Sequence, residues 1–366
     1  MKSELIYQLG LTLVPNIGDV QAKLLLHHFG TASAIFKAPK SKLERIEGIG
    51  SVRADSIKSF ADFSLAEKEL EFIENNRLQA IFLTDEAYPK RLLHCNDSPT
   101  LLFYKGTADL NASRIIAVVG TRSCTEYGRQ FTEKLVEELA EEQVLIVSGL
   151  AFGIDSFAHK AALKNQLSTV GVVGHGLDKI YPLVNTPLAR EMVQNKGGIL
   201  TEFFSGTLPD KHNFPLRNRI VAGMADATIV VETNIKGGSM ITAKLADSYN
   251  RDVFAVPGRV GDRNSNGCNH LIRYNKAILL TSATELLEVM GWKQSKQKPR
   301  KQRELFIELT QEESKVIELL REAETLHIDE FSYRSSLSTA AIAGAILNLE
   351  LQNVIASLPG KRYRLI

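Results

Sequence analysis

The chain has few of the residues that mark disulfide-bonded, metal-binding or membrane-spanning proteins. Its three cysteines, Cys95, Cys124 and Cys268, lie far apart, with no CxxC pair and no histidine at metal-ligand spacing. We therefore expect reduced thiols and no metal. No window approaches the ~18 consecutive apolar residues that span a bilayer. The first residues also lack a basic stretch followed by an apolar core and a cleavage site, so we expect a soluble, cytoplasmic protein.

Sequence motifs for cofactor and nucleotide chemistry are missing as well. Gly120 stands alone, and Gly174-His-Gly176 has Lys179 where the third glycine of a GxGxxG motif would fall, so NAD binding is not favoured. No GxxxxGK[ST] loop is present for the phosphates of ATP. Ser148 does not lie in a GxSxG turn, which leaves acyl transfer without support. We expect no cofactor.

The chain also has little net charge, and the excess that exists is local. The 44 Lys and Arg residues nearly balance the 42 Asp and Glu residues, for a formal charge of +2. Residues 293–303 contain only basic charges and no apolar side chain. Such a segment cannot bury a core, and a solvated linker is favoured over a phosphate-binding one. It separates two folded parts in a chain whose length predicts two or three domains.

Short apolar runs between about residues 80 and 290 predict an α/β fold. They are β-branched, are bounded by glycine or polar turns, and alternate with amphipathic helical stretches. This pattern is typical of a doubly wound, Rossmann-like parallel sheet. The runs are 115–119, 144–148, 169–173, 199–203, 228–232 and 253–256.

Four unusual loops follow strands of this predicted sheet. They cover residues 120–123, 148–155, 174–178 and 236–242. Ligands of open α/β sheets bind at the carboxyl ends of the strands, where loops meet helix N-termini. We therefore expect the four loops to form one binding site.

The segment 214–223 places Arg217 and Arg219 on either side of Asn218, before an apolar run. Arginine forks match phosphate oxygens, and a helix N-terminus adds free N–H groups. The segment therefore predicts an anion-binding turn at the start of a helix. Surface pairing of both arginines with carboxylates is the alternative.

The acid and base candidates do not form a catalytic site on the evidence of the sequence. Asp155 and His159 lie four apart on one helical face, which favours a structural pair or a ligand rim. Glu232 follows a strand. The run from Gly237 to Thr242 faintly resembles the loop of nucleotide phosphoribohydrolases, but no glutamate occurs at 243–246. We expect a site that binds without reacting, with a nucleotide or nucleoside hydrolase as the alternative.

Six separated motifs resemble those of the DNA-processing protein A family, also called DprA or Smf, and occur in the family's order. They cover about residues 80–290. The motifs are Val-Gly-Thr-Arg at 119–122, Ser-Gly-Leu-Ala-x-Gly-Ile-Asp at 148–155 with Ala-His at 158–159, Gly-Leu-Asp at 176–178 with Tyr-Pro at 181–182 and Asn185, Phe-Pro-Leu-Arg-Asn-Arg at 214–219, Gly-Ser at 238–239 with Ile-Thr-Ala at 241–243, and Val-Phe-Ala-Val-Pro-Gly at 253–258.

The resemblance implies a bacterial protein that binds single-stranded DNA and loads the RecA recombinase during natural transformation and recombination. It also implies a homodimer formed through the Rossmann-like domain. Phe152 stands where many relatives carry Lys or Arg, so a base-stacking or rim-packing aromatic replaces a phosphate contact. The expected DNA-binding residues are Gly120, Thr121, Arg122, Ser148, Gly149, Phe152, Gly153, His159, Arg217, Asn218, Arg219, Gly237, Gly238, Ser239 and Thr242, with Arg217 or Arg219 alternatively structural.

The two flanking regions predict small helical modules. Residues 1–78 contain two glycine-centred turns, at 15–18 and 47–50, that resemble helix-hairpin-helix elements, which either contact phosphates or only pack helices. Residues 304–366 resemble a winged helix. Its third helix has no Lys or Arg, so we expect a protein contact there rather than groove reading. The expected division is 1–78, 79–292, 293–303 and 304–366.

Overall fold

The computed structural model describes residues 3–292 and 309–366, so the basic segment 293–303 lies outside the described residues. Contacts divide the chain into one compact unit up to Leu279 and a second from Leu280 onward. The N-terminal helices belong to the same unit as the large sheet. The four-part division drawn from the sequence stays a prediction. Within the described residues, no helix combines the length and the apolar character needed to cross a membrane.

Helices form the first 76 residues, as the sequence predicts. Each glycine turn comes directly before a helix, and Gly48 and Gly50 have φ values of 87° and 62° that a glycine adopts without strain. Arg53 donates to the carbonyl oxygens of Asn16 and Gly48, at 3.1 and 2.8 Å. It thereby joins the two hairpins. The helices are α1 (Glu4–Leu13), α2 (Asp19–Phe29), α3 (Ala32–Lys37), α4 (Lys40–Glu44), α5 (Gly50–Ser59) and α6 (Ser64–Asn76).

Nine strands of the first unit form one mixed sheet in the described part of the chain, which confirms the predicted α/β fold. Its order is β1-β2-β6-β5-β4-β3-β7-β8-β9, parallel from β6 to β9 and antiparallel at β1 and β2. The strands are β1 (Gln79–Phe82), β2 (Leu101–Gly106), β3 (Ile115–Val119), β4 (Leu145–Ser148), β5 (Thr169–Val172), β6 (Gly198–Thr201), β7 (Ala227–Val230), β8 (Asp252–Ala255) and β9 (Ile278–Leu279).

The chain winds outward from β3 in both directions. Strands β4, β5 and β6 extend the sheet on one side, and β7, β8 and β9 extend it on the other. The carboxyl ends of β3 and β7 therefore flank the topological switch point, where such sheets bind ligands. The connecting helices are α7 (Lys90–Leu93), α8 (Glu126–Glu138), α9 (Ile154–Lys164), α10 (Thr186–Gln194), α11 (Asn213–Met224), α12 (Gly238–Ser248) and α13 (Asn266–Arg273).

The second unit contains the predicted winged helix. Three helices pack around a core that includes Phe331, and a three-stranded antiparallel sheet has the order β10-β12-β11. Its elements are α14 (Ala283–Val289), α15 (Gln311–Glu322), β10 (Leu326–His327), α16 (Ile328–Ser335), α17 (Thr339–Leu351), β11 (Ile355–Leu358) and β12 (Arg362–Leu365). Helix α17 carries no Lys or Arg and exposes Leu347 and Leu351.

Buried polar groups attach the N-terminal helices to the sheet. Arg219 of α11 forms ion pairs with Asp19 at the start of α2 and with Glu202 after β6. Lys23 donates to the carbonyl oxygens of Leu93 and Cys95, at 2.6 and 3.0 Å. Burial raises the pKa of Glu202 to about 7, although the Arg219 guanidinium acts in the opposite direction. The Arg219 cluster is therefore sensitive to pH near neutrality.

We expect the Glu202→Gln variant to change how stability depends on pH. A carboxyl group whose pKa is 4.5 when unfolded and about 7 when folded binds its proton more tightly in the folded state. Its contribution to folding stability is therefore full below the unfolded pKa and declines as the pH rises through the folded pKa. As the pH rises through that range, the folding stability of wild type should fall by on the order of 1–3 kcal/mol relative to that of Glu202→Gln.

Urea unfolding followed by circular dichroism between pH 5 and 8 measures this difference. The matched control is Glu191→Gln, which replaces an exposed glutamate. The difference between its free energy of unfolding and that of wild type should stay constant over this pH range. If the difference in free energy of unfolding between Glu202→Gln and wild type were also constant, the raised pKa of Glu202 would be contradicted.

Candidate functional site

A cleft of about 330 Å³ opens at the switch point of the sheet. Its walls come from the loop after β3, the loop after β4, the first turns of α11 and the loop after β7 that leads into α12. The sequence predicted three of these walls from the loops that follow strands, whereas the fourth predicted loop, 174–178, lines only the neighbouring recess, through Gly174 and His175. The lining residues are Val119, Gly120, Thr121, Arg122, Gly149, Ala151, Asp155, Phe214, Arg217, Asn218, Val221, Thr233, Asn234, Gly237, Gly238, Ser239 and Thr242.

Arg217 lies at the base of the cleft and is 5% exposed. Its Nη1 donates to the carbonyl oxygen of Val172 at 2.7 Å, where β5 ends. Gly149 separates Arg217 from Asp155, since a Cβ at that position would lie 1.9 Å from Nη1 of Arg217 and 2.6 Å from Oδ2 of Asp155. A glycine is therefore needed for the guanidinium and the carboxylate to approach each other.

The Asp155 carboxylate is used by the protein itself. Its Oδ2 accepts hydrogen bonds from the backbone N–H groups of Gly149 and Ala151, at 3.1 and 3.4 Å. Burial raises the pKa of Asp155, whereas the Arg217 charge and these hydrogen bonds favour the ionised form. The same burial lowers the pKa of Arg217. The opposite charges of Asp155 and Arg217 each favour the ionised form of the other group.

Two buried polar atoms in the cleft wall have no hydrogen-bond partner within the described residues. They are Nε of Arg217 and the hydroxyl of Ser239. Ser239 lies in the first turn of α12, which begins at Gly238 without a side-chain cap. The first N–H groups of a helix favour anions, and an unpaired guanidinium donor adds to that preference. This wall of the cleft is suited to an anionic ligand.

Aromatic side chains form the outer lip of the cleft around Arg122. The Arg122 guanidinium lies over the Phe214 ring, 5.0 Å from its centroid. Tyr181 lies 6.1 Å from Phe214, centroid to centroid, and is 43% exposed. Phe152 belongs to the same recess and is 46% exposed. The lip therefore combines an exposed cation with accessible π-faces.

Gly153 holds the loop after β4 against the loop that carries Arg122. It has a φ of 74°, and a Cβ there would lie 2.2 Å from the carbonyl oxygen of Thr121. The next N–H, that of Ile154, donates to the same oxygen at 3.3 Å. Close backbone packing thus fixes where Arg122 leaves the sheet.

Five of the expected site residues are absent from the lining of the cleft. Phe152 lies on its lip and Gly153 supports the loop of Arg122, whereas Ser148, His159 and Arg219 have other surroundings. The Ser148 hydroxyl donates to the carbonyl oxygen of Val118 at 2.6 Å inside the sheet. His159 is fully buried and donates from Nδ1 to the hydroxyl of Thr169, which itself donates to a backbone oxygen. Burial lowers the pKa of His159 to about 3, so it is neutral. Arg219 is held in its carboxylate cluster, and we leave these three residues out of the site.

The predicted turn before an apolar helix is also different in the structure. Helix α11 begins at Asn213, so Arg217 and Arg219 lie within it. Residues two apart on a helix do not share a face. Arg217 therefore enters the cleft, while Arg219 reaches the N-terminal helices. Glu232, the other acid candidate, accepts hydrogen bonds from the N–H and hydroxyl groups of Thr125.

Sequence reasoning missed several lining residues that lack a distinctive chemistry. Thr233 and Asn234 directly follow the predicted strand 228–232, and Ala151 belongs to a recognised motif without being singled out as a site residue. For Thr233 and Asn234, their position after a predicted strand was the sequence signal that could have identified them. Phe214 was part of a recognised motif, but its aromatic role depends on Arg122 from another loop.

Fold and site together define a class: a Rossmann-like domain whose cleft is lined by Arg122 and Arg217, preceded along the chain by a helical region and followed by a winged helix. The chain belongs to the family described as "DNA recombination-mediator protein A", whose family model matches residues 79–291. Residues 298–361 match a DprA winged helix domain, and residues 4–67 match a helix-hairpin-helix motif. The resemblance predicted from the six motifs is thereby confirmed.

Similar proteins come from several bacteria. DNA processing protein DprA of Streptococcus pneumoniae is 43% identical over 214 residues, covering 58% of this chain and 75% of the relative. Its X-ray structure has a TM-score of 0.67 at 35% identity, covering 79% of this chain and 98% of that one. Protein Smf of Escherichia coli is 34% identical over 326 residues, covering 87% and 85%.

A structure of DNA processing protein A from Helicobacter pylori is described by its single-stranded DNA binding mode. It has a TM-score of 0.53 at 32% identity and covers 58% of this chain and 94% of that chain.

We expect Asp155→Ala to destabilise the protein by about 1–3 kcal/mol. The substitution leaves the N–H groups of Gly149 and Ala151 without their acceptor and the buried Arg217 without its balancing charge. Asp155→Asn retains an acceptor and should lose less. Urea unfolding followed by circular dichroism measures both changes, and equal stability of Asp155→Ala and wild type would refute the structural role.

Proposed function

We propose that this protein binds single-stranded DNA in the cleft and acts as a recombination mediator. It protects incoming strands and loads RecA onto them during natural transformation and recombination. The observation that carries this proposal is the combination of Arg122, Arg217 and the uncapped N-terminus of α12 around one cavity. We propose no chemical turnover and no cofactor.

Electrostatics favour a focused phosphate site over a diffuse field. The chain carries a formal charge of only +2 in 366 residues. A nearly neutral surface does not attract DNA at long range. Affinity then has to come from a few arginine forks and oriented N–H groups that neutralise a few phosphates, which gives a modest salt dependence.

The aromatic lip favours a single strand over a duplex. Phe152 and Tyr181 each expose more than two fifths of their surface beside Arg122. Unpaired bases can stack on such rings, for about 1–3 kcal/mol per base, whereas paired bases are already stacked on each other. The Helicobacter pylori relative, which is described by its single-stranded DNA binding mode, supports this choice.

A nucleotide hydrolase is the alternative, and the acid groups argue against it. Asp155 accepts two backbone hydrogen bonds, and His159 lies in the core behind the cleft. Their contacts with the protein itself favour structural roles for both groups. The family description as a recombination mediator supports the non-enzymatic role, and RecA is the partner that the resemblance implies.

We propose that the winged helix acts through a protein contact, whereas the helix-hairpin-helix turns either contact phosphates or only pack helices. Helix α17 offers exposed Leu347 and Leu351 and no Lys or Arg, so it lacks the cations that pair with phosphates. The hairpin cation Arg53 is already bonded to backbone oxygens. Phosphate contacts by these modules would be secondary to those of the cleft.

We further propose that the protein is a homodimer through its Rossmann-like domain. The edge strand β9 consists of Ile278 and Leu279, which are 41% and 46% exposed. Tyr274, just before it, is 57% exposed. An exposed apolar edge strand is a ready surface for pairing with a second copy.

Removal of the Arg122 side chain should weaken DNA binding selectively. We expect Arg122→Ala to reduce affinity for a labelled single-stranded oligonucleotide by about tenfold or more, because a charge-assisted phosphate contact is worth roughly 1.5–3 kcal/mol. Wild type should prefer the single strand to a duplex. Fluorescence anisotropy at several salt concentrations measures both properties.

The matched control is Arg190→Ala, which removes one exposed arginine from α10, outside the cleft. It should bind as wild type does. Equal binding by Arg122→Ala and Arg190→Ala would count against the cleft. Release of free base from a nucleoside monophosphate would favour the hydrolase.

A charge placed on the β9 edge should separate the dimer. We expect Leu279→Glu to shift the mass measured by light scattering from dimer toward monomer, since the carboxylate would be buried at the interface. Leu208→Glu changes another exposed leucine, at 64% exposure, and should leave the mass unchanged. A dimer that survives Leu279→Glu would place the interface elsewhere.

A further inference from the structure

A basic surface borders the cleft on the side of β8 and lies outside the cavity. It consists of Lys236 in the loop after β7 and of Arg259 and Arg263 in the loop after β8, and we refer to these three residues as the basic ledge. All three are exposed. No ion pair involves any of them within the part of the chain that the structure describes. Asp262 is the one acidic residue in the same loop, so the net charge of the ledge and this loop is positive.

The loop that carries the two arginines is held in place at both ends. Gly258 donates to the Asn269 side chain at 3.2 Å and accepts from it at 2.9 Å. A Cβ on Gly258 would lie 2.0 Å from the Ser265 hydroxyl, so the two ends of the loop pack directly together. The N–H of Ser265 also donates to the carbonyl oxygen of Asp262 at 3.0 Å. Arg259 and Arg263 therefore extend from a fixed backbone.

Hydrogen bonds join this loop to the rim of the cleft. The Asn264 carbonyl oxygen accepts from the N–H of Thr233 at 2.7 Å, and its side chain donates to the Ser123 carbonyl oxygen at 2.9 Å. Thr233 lines the cavity, and Ser123 follows Arg122. The N–H of Lys236 is bonded to the Asn234 side chain at 2.9 Å, again on the rim. The ledge and the cleft thus share one continuous edge.

We propose that the basic ledge is a second phosphate-binding site, which holds the sugar-phosphate backbone of a DNA strand as it leaves the cleft. This inference rests on the proposed single-strand binding and extends it beyond the cavity. Strands β3, β7 and β8 are neighbours, so Lys236 lies in the loop of the adjacent strand and the loop of Arg259 and Arg263 follows the next one. At ~4.8 Å per strand, the strands that lead to the loops of Arg122 and of the two ledge arginines are about 10 Å apart, a span that one strand of DNA can cover.

If the ledge binds phosphates, its contribution to DNA affinity should depend on the length of the oligonucleotide. A strand of about four nucleotides occupies the cleft alone, whereas one of about 15 nucleotides also covers the ledge. We expect the triple variant Lys236→Ala/Arg259→Ala/Arg263→Ala to bind the long strand about tenfold or more weakly at low salt, and to lower the slope of log K against log salt by roughly two. Binding of the short strand should stay within about twofold of wild type.

Two control variants define what the result means. Lys105→Ala/Lys164→Ala/Lys196→Ala removes three exposed lysines near the amino ends of β5 and β6, away from the cleft. It changes the net charge equally and should bind both strands as wild type does. Lys236→Arg/Arg259→Lys/Arg263→Lys keeps the charges and should retain long-strand affinity. Circular dichroism checks that every variant is folded.

If the ledge variant bound the long strand with the same affinity and salt slope as wild type, the proposed second site would be overturned. An equal loss on short and long strands would also overturn it, because the three side chains would then act through the cleft. Failure of wild type to bind the short strand would instead refute the proposed function of the cleft itself.

Discussion

A buried arginine needs a balancing charge, and the cleft is arranged around this requirement. Arg217 enters the interior from α11 and approaches Asp155 across Gly149, where no Cβ intervenes. Asp155 in turn holds the N–H groups that shape the loop after β4. One neutralised cation thus fixes the backbone that forms the cavity wall, and its buried Nε has no hydrogen-bond partner within the described residues.

Helix α11 connects this cleft with the N-terminal helices. Arg217 and Arg219 lie two residues apart and enter different surroundings, one in the cavity and one among Asp19 and Glu202. The same rigid element therefore fixes the binding site and the attachment of the helical region. Since residues at this spacing point away from each other on a helix, the sequence motif served two separate purposes.

The distribution of charge fits a protein that binds DNA through built sites. A chain with almost no net charge relies on positions where several cations lie near each other. The cleft provides fixed donors and aromatic surfaces, while the basic ledge provides exposed cations on a loop closed by Gly258 and Ser265. A strand that follows both would be recognised by its backbone and its unpaired bases rather than by its sequence.

The sequence by itself determined the α/β fold, the winged helix and the loops of the cleft, because strand periodicity and position after a strand are local properties. It also marked Arg122 and Arg217. Only the tertiary structure decided that Arg219 and His159 lie outside the cleft, since burial depends on which elements pack together. The two antiparallel strands β1 and β2 were likewise missed, because β1 pairs only with β2 among the described strands, and the pairing of β2 with β6 joins segments almost 100 residues apart.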